Sequence, residues 1–304
     1  MCCSAWSATF SRTITGTWEV LVEGRLTHVL WYQNRVGYGQ DTNGPPLTSK
    51  QSKGNCLIIP LLGTWESIRL LNTFDTPNLL EDISESLAYP VEDLSPMLGA
   101  PQASAFGSGG GMIFLQFDIY DIVLAERACD IPSVLSQINP EKRPEVNDAV
   151  FDMLNRWYDC PVAVCCFNDS QNGEAKPLGF AFEPLYPDKL VVYTLDAHDG
   201  KPPDPNRAVE VDHDIFVGSY LMQAERRARV KYSDSIPQHL SPYVLPEVLG
   251  MPIRSMLMEN GDFVFSKEDV RKGIFQGVRS LPPKAPSGVP RRGHKAERDY
   301  AYIS

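Results

Sequence analysis

Two short segments carry the side chains with the widest chemical repertoire. Asp196-Ala197-His198-Asp199 and Asp212-His213-Asp214 each place an imidazole beside carboxylates. Imidazole and carboxylate are ordinary ligands of a divalent cation, so Asp196, His198 and His213 form a candidate metal set. The same residues suit proton transfer, with His198 or His213 as base and a carboxylate such as Asp212 fixing the ring tautomer. A third reading needs no chemistry. Asp199-Gly200-Lys201-Pro202-Pro203-Asp204-Pro205-Asn206 is turn composition, in which Asp bonds its own backbone. No spacing here is diagnostic of a metal site, and the three readings stand side by side.

Cysteine supplies the candidate nucleophiles, at positions 2, 3, 56, 129, 160, 165 and 166. Cys165 and Cys166 are consecutive in a strand-like run, so their side chains point to opposite faces and cannot easily act together. They and Cys56 are expected in the core, as small apolar residues. Cys2 differs. Once the initiator methionine is removed, its own α-amino group, with a pKa of about 8, can serve as base for its thiol. Such N-terminal nucleophiles occur in amidohydrolases built from antiparallel sheets layered with helices. The first functional expectation is therefore a cysteine-dependent amide hydrolase acting on a small-molecule or peptide substrate. Cys2 is its nucleophile, supported by His198, His213 and Asp212. The competing expectation is a non-catalytic binding or assembly protein whose acidic body and basic tail engage a protein partner. His28 stands alone between Thr27 and Val29 and reads as a structurally satisfied strand residue.

No cofactor motif is present. The run Gly107-Ser108-Gly109-Gly110-Gly111 lacks a lysine and precedes a strand, where a phosphate loop would open a helix. Composition narrows the classes further. The formal net charge of −10 disfavours nucleic acid, whose phosphates need clustered cations. From Ser280 to Ser304, five Lys/Arg face two Asp/Glu, so this Pro- and Gly-containing tail is basic and the body more acidic still. The longest apolar runs, such as Cys56–Leu62, are far shorter than a membrane span, so no membrane role is expected. With no basic, apolar leader at the N-terminus and an odd number of cysteines, reduced thiols and a cytoplasmic location are expected.

The elements that must position these groups read mainly as strands. Trp18–Val22 and Leu26–Tyr32 flank Glu23-Gly24 and predict a hairpin. Further strands are expected at Cys56–Leu62, Ser67–Leu71, Met112–Phe117, Tyr120–Ala125, Val162–Phe167, Leu178–Phe182 and Leu190–Leu195. Helices are expected from Thr76-Pro77, from Pro132, from Pro144 to Tyr158, and after Ser266, which has capping-box spacing to Asp269. Val162–Phe167 and Leu178–Phe182 are expected to form a hairpin. Asn260-Gly261 predicts a type I′ turn joining Met256–Glu259 to Asp262–Phe265. Pairing of Leu190–Leu195 with Val209–Val211 would bring the two Asp/His segments together.

Strands and helices fall in blocks without strict alternation, which argues for an α+β fold of mainly antiparallel sheets with a few packing helices. One large domain over 1–280 is expected, with any subdivision near 100–112, followed by a disordered tail over 281–304. The order of elements resembles that of an uncharacterised bacterial family of secreted proteins. The matching segments are Cys2-Cys3, Thr17–Tyr32, Leu57-Ile58-Ile59-Pro60, Tyr120-Asp121-Ile122-Val123-Leu124 and Val162–Leu195. The absent leader departs from that family. The resemblance implies an order of elements and no reaction.

Overall fold

The computed structural model describes residues 2–3, 9–37, 54–88, 108–109, 111–145, 147–168, 173–197, 200–223 and 227–280. The tail from Leu281, the loop between Gly37 and Gly54, most of 95–111, and His198 lie outside the described residues. Strand outweighs helix, in mixed sheets with few helices, consistent with an α+β or a mainly-β class. No helix among the described residues is long and apolar enough to cross a membrane.

The expected first hairpin is present and longer than its apolar runs. Thr9–Val22 (β2) and Arg25–Gly37 (β3) pair antiparallel down to Val22↔Arg25. Glu23 and Gly24 form the connection at φ 49° and 76°. Two consecutive positive φ values are what a type I′ turn requires.

This hairpin lies at the centre of an eight-stranded sheet. Ala228–Arg229 (β15), Glu247–Glu259 (β16) and Ala208–Ser219 (β14) stand on the β2 side. Leu178–Phe182 (β11), Arg69–Leu71 (β5) and Gly173–Glu174 (β10) stand on the β3 side. All pairs in it are antiparallel except β14–β2. A five-stranded antiparallel sheet contains Gly54–Pro60 (β4), Val162–Asn168 (β9), Tyr120–Ala125 (β8), Met112–Phe117 (β7) and Ser108–Gly109 (β6). A three-stranded sheet contains Lys189–Val192 (β12), Asp262–Ser266 (β17) and Val278–Ser280 (β18). Cys2–Cys3 (β1) pairs in parallel with Asp196–Ala197 (β13).

Both faces of the large sheet are covered. Ile14, Trp18, Val20, Val29, Trp31 and Phe216 form one core with Leu79, Leu80 and Ile83 of the helix Leu79–Ala88 (α1). On the opposite face, Leu30, Tyr32 and Phe180 join a core with the five-stranded sheet and with Phe151 and Leu154 of Asp148–Trp157 (α2). Val211, Ile215, Val217 and Leu249 instead pack with Leu190, Val192, Phe263 and Phe265 of the three-stranded sheet. Strand β2 lies at the seam between these two coverings. Its residues on that face are Thr13, Thr15, Thr17 and Glu19, all buried. Thr15 donates to the Trp31 carbonyl, and Thr17 donates to the Val191 carbonyl at 2.6 Å. The Thr17 hydroxyl thus ties the large sheet to β12 of the three-stranded sheet, while that of Thr15 is satisfied within the large sheet.

Two expected hairpins do not form. Strand β9 belongs to the five-stranded sheet and β11 to the large one, so the connection between them changes layer. Likewise β16 pairs with β14 and β15, while β17 pairs with β12 and β18. Neither Asn260 nor Gly261 has a positive φ, so no type I′ turn exists there. The Asn260 side chain instead bonds the Asp196 main chain, accepting from its N–H and donating to its carbonyl at 2.8 Å each. The buried Asp262 carboxylate accepts from the Thr194 and Leu195 N–H groups at 2.9 Å and from the Tyr158 hydroxyl at 2.8 Å. These side chains bind a neighbouring segment, and the chain passes between sheets.

The Asp262 anchor is directly testable. Asp262→Ala leaves three buried donors without their acceptor and is expected to destabilise by about 3 kcal/mol or more in denaturant titration. A change under about 1 kcal/mol would show that the anchor does not hold the crossing.

Candidate functional site

At the Glu19 end of the polar seam, four side chains form a row across four strands. The register aligns Ser219 with Glu19, Glu19 with His28, and His28 with Phe182. Directly opposed residues share a face of the sheet, so the row is contiguous. The His28 and Phe182 rings meet edge to face, with centroids 6.4 Å apart.

Glu19 is completely buried. An isolated buried carboxylate would be prohibitive, and here cations compensate it. Arg271 grips it with both nitrogens, Nε at 2.6 Å and Nη2 at 3.1 Å, and Lys267 stands at 3.6 Å. Ser219 donates its hydroxyl to the same carboxylate at 2.6 Å. Both cations belong to the short helix Lys267–Arg271 (α3), which Ser266 caps by accepting from the Asp269 N–H. The capping expectation holds, but the helix is one turn and a half because the chain turns at Gly273, φ 75°.

His28 is the member of the row that lacks compensation. It is 4% exposed, and its Nε2 is buried with no hydrogen-bond partner. Burial, and secondarily the Lys267 ammonium, hold its pKa down at about 3. The ring is therefore neutral near pH 7. The expectation of a structurally satisfied histidine is not met.

His28 lines a narrow recess with Thr17, Leu62, Phe182, Tyr186, Lys189, Val191 and Tyr193. The recess has room of about 10 Å³, enough for one group the size of a water molecule. Lys189 also lines a wider cleft of about 570 Å³, with Val264, Phe265, Ser266, Lys267 and Arg271 on its walls and Asp188 and Glu268 beside them. That volume lies within the usual range of small-molecule sites. Lys267 and Arg271 are engaged by Glu19, and Glu268 pairs with Lys272. Lys189 makes no ion pair among the described residues.

The residues singled out in the sequence are placed elsewhere. Asp196 lies on β13, whose main chain is bound by Cys2–Cys3 and by Asn260. Asp212 falls at a bulge between Val211 and His213, is exposed, and ion-pairs with Arg254 at 3.6 Å. His213 is buried, opposite Thr13 and Ile253. The expected pairing of Leu190–Leu195 with Val209–Val211 does not occur, since β12 pairs with β17 and β14 with β2 and β16. Asp214, the last member of that segment, is fully buried and bound by Arg12, Ser84 and Arg254. No three His, Cys, Asp or Glu among the described residues come together as metal ligands, and the sequence-derived set includes His198, which lies outside them. The thiols of Cys160, Cys165 and Cys166 are buried and pushed well above the ordinary range by burial.

Glu19, Ser219, Lys267 and Arg271 escaped the sequence reading because strand pairing and side-chain contacts join positions 200 and more residues apart, and Lys189 because only the fold places it at the cleft. The local signal available was the Ser266–Asp269 spacing, which located α3 but not what its cations bind. No family model matches the chain, and no curated protein or solved structure shows significant similarity to it.

A neutral buried imidazole makes stability depend on pH. The unfolded chain takes up a proton on His28 below about pH 6.5, while the folded chain does not until about pH 3. The folded state therefore loses stability as pH falls through that window, by about 2 kcal/mol at pH 5. His28→Leu is expected to remove this part of the decline, measured as the difference between denaturant titrations near pH 7 and pH 5. An identical decline in wild type and variant would contradict it.

Proposed function

We propose that this protein is a non-catalytic binding protein that holds a small molecule in the cleft beside α3, with one group of the ligand entering the recess at His28. The observation that carries this reading is His28, whose Nε2 is buried without a hydrogen-bond partner among the described residues and which lines a recess sized for one small group. A buried nitrogen with no hydrogen bond is unfavourable by about 1–3 kcal/mol, and a ligand group that bonds to it recovers that energy. Reaction chemistry has less support at this site. An imidazole held at about 3 is a weak base near pH 7, and the Ser219 hydroxyl is engaged by Glu19.

Native mass spectrometry of the gently purified protein tests the reading. A small molecule released on denaturation is expected from wild type and not from His28→Leu. Equal release from both would contradict a site at His28.

A second reading rests on the pairing of Cys2–Cys3 with Asp196–Ala197, which sets the N-terminal main chain beside one of the sequence-derived polar segments. It is the amide hydrolase with Cys2 as nucleophile. Intact mass and alkylation decide it: removal of Met1, with Cys2 modified faster than the exposed Cys129, supports this reading, and a retained Met1 ends it.

A further inference from the structure

Two of the buried thiols face each other across strands. The register of β4 on β9 sets Cys56 directly opposite Cys166, so both side chains stand on one face of the five-stranded sheet. Antiparallel pairs alternate between hydrogen-bonded and non-hydrogen-bonded positions, and opposed side chains lie closer at the latter. Two hydrogen bonds fix the kind here. The Leu61 N–H donates at 2.7 Å to the carbonyl of Pro161, the residue opposite it when the register is continued. Leu61 is thus a hydrogen-bonded position, as are Ile59, Leu57 and Asn55 at steps of two along an unbroken ladder. Cys56, between them, is not. Its N–H accordingly turns away from β9 and donates to the Asn55 Oδ1 at 2.9 Å.

Non-hydrogen-bonded partners have Cα atoms about 4.5 Å apart. A disulfide spans Cα separations of about 4.4–6.8 Å, so the two sulfurs can be joined while the strands stay paired. Cys165 cannot compete, because it is opposite Leu57 on the other face.

In the closed fold the pair is inert. Both residues are fully buried, and burial, with the Asp121 carboxylate second, raises the Cys166 thiol far above its ordinary range. An oxidant reaches them only when a strand opens. That strand is β4, which ends the sheet: apart from a single bridge at Gly54, it pairs with β9 alone among the described residues. Strand β9 is held on both sides, by β4 and β8. Opening therefore exposes Cys56 first.

We infer that Cys56 and Cys166 form a reversible cross-strand disulfide that locks β4 onto β9 under oxidising conditions. With glutathione disulfide as oxidant, the Cys56 thiolate attacks one of its sulfurs and expels a glutathione thiolate. The Cys166 thiolate then attacks the Cys56 sulfur and expels the second glutathione. Two protein thiols have become one disulfide, and one glutathione disulfide has become two reduced glutathiones. Excess dithiothreitol runs the exchange backwards. The bond depends on neither reading of function above.

The test incubates the full chain with glutathione disulfide, with and without urea below the unfolding transition. The protein is then denatured, its remaining thiols are alkylated, and its peptides are mapped by mass spectrometry. A peptide pair joined through Cys56 and Cys166 is expected, formed faster in urea and lost on dithiothreitol treatment, with Cys160 and Cys165 alkylated. The oxidised protein is expected to unfold at a higher temperature, since the bond removes conformations from the unfolded chain. Cys56→Ser and Cys166→Ala are each expected to abolish the joined pair and the thermal shift. Mapping of the wild type decides the matter even where a variant fails to fold. Cys56 and Cys166 both still alkylated after oxidation in urea, or either one bridged to a different cysteine, would overturn the inference.

Discussion

The Glu19 carboxylate is the constraint on which this end of the molecule depends. It sits at the centre of a sheet face covered by two other sheets, where an ion is tolerated only if compensated. Its compensation is drawn from three places in the chain: Ser219 on β14, and Lys267 and Arg271 on α3. One side chain on β2 thus fixes the parallel neighbour strand and the helix that follows β17. Removing it would leave two cations and a hydroxyl facing each other without their acceptor, a loss of about 3–5 kcal/mol by comparison with other buried pairs. Replacing Glu19, Lys267 and Arg271 together by apolar residues of matching volume avoids that loss, but it releases α3 from its ionic contact with the sheet.

That constraint also explains why the neighbouring imidazole is without a bond. Arg271, Ser219 and Lys267 all converge on Glu19, and Lys267 further depresses the pKa of His28. His28 is opposite Glu19 in register, yet the carboxylate's strongest contacts go to the other side. The result is a row in which Glu19 is saturated while its neighbour is a neutral, buried ring that lines a small recess. In the binding reading we propose, that asymmetry supplies a stable frame and leaves one group for a ligand.

Local signals in the sequence located most of the elements. Alternation around Trp18 and the Glu23-Gly24 pair marked the central hairpin, and Ser266 with Asp269 marked the start of α3. Local signals failed where the chain changed layer. Asn260-Gly261 has the composition of a tight turn, but the amide of Asn260 and the carboxylate of Asp262 are drawn to the segment around Asp196. The runs Val162–Phe167 and Leu178–Phe182 are apolar on both faces, so each can be central in a sheet, and proximity in sequence did not make them partners. The alternation of β2 also concealed its own outcome. Thr13, Thr15, Thr17 and Glu19 have the polarity of an exposed face, and only the arrival of two further sheets buries them. His28 and its surroundings became legible through that burial, which no spacing along the chain encodes.

The state of the His28 ring tests this account most directly. Long-range proton–nitrogen correlation spectra of the imidazole, recorded from about pH 7 down to about pH 5, report the protonation of each ring nitrogen. A ring enclosed beside Lys267 and left without a partner is expected to stay neutral across that range, with Nε2 shifting only on ligand addition. A ring that titrates near its ordinary value of 6.5 would contradict the account, since it would show His28 open to water and the seam around Glu19 not closed.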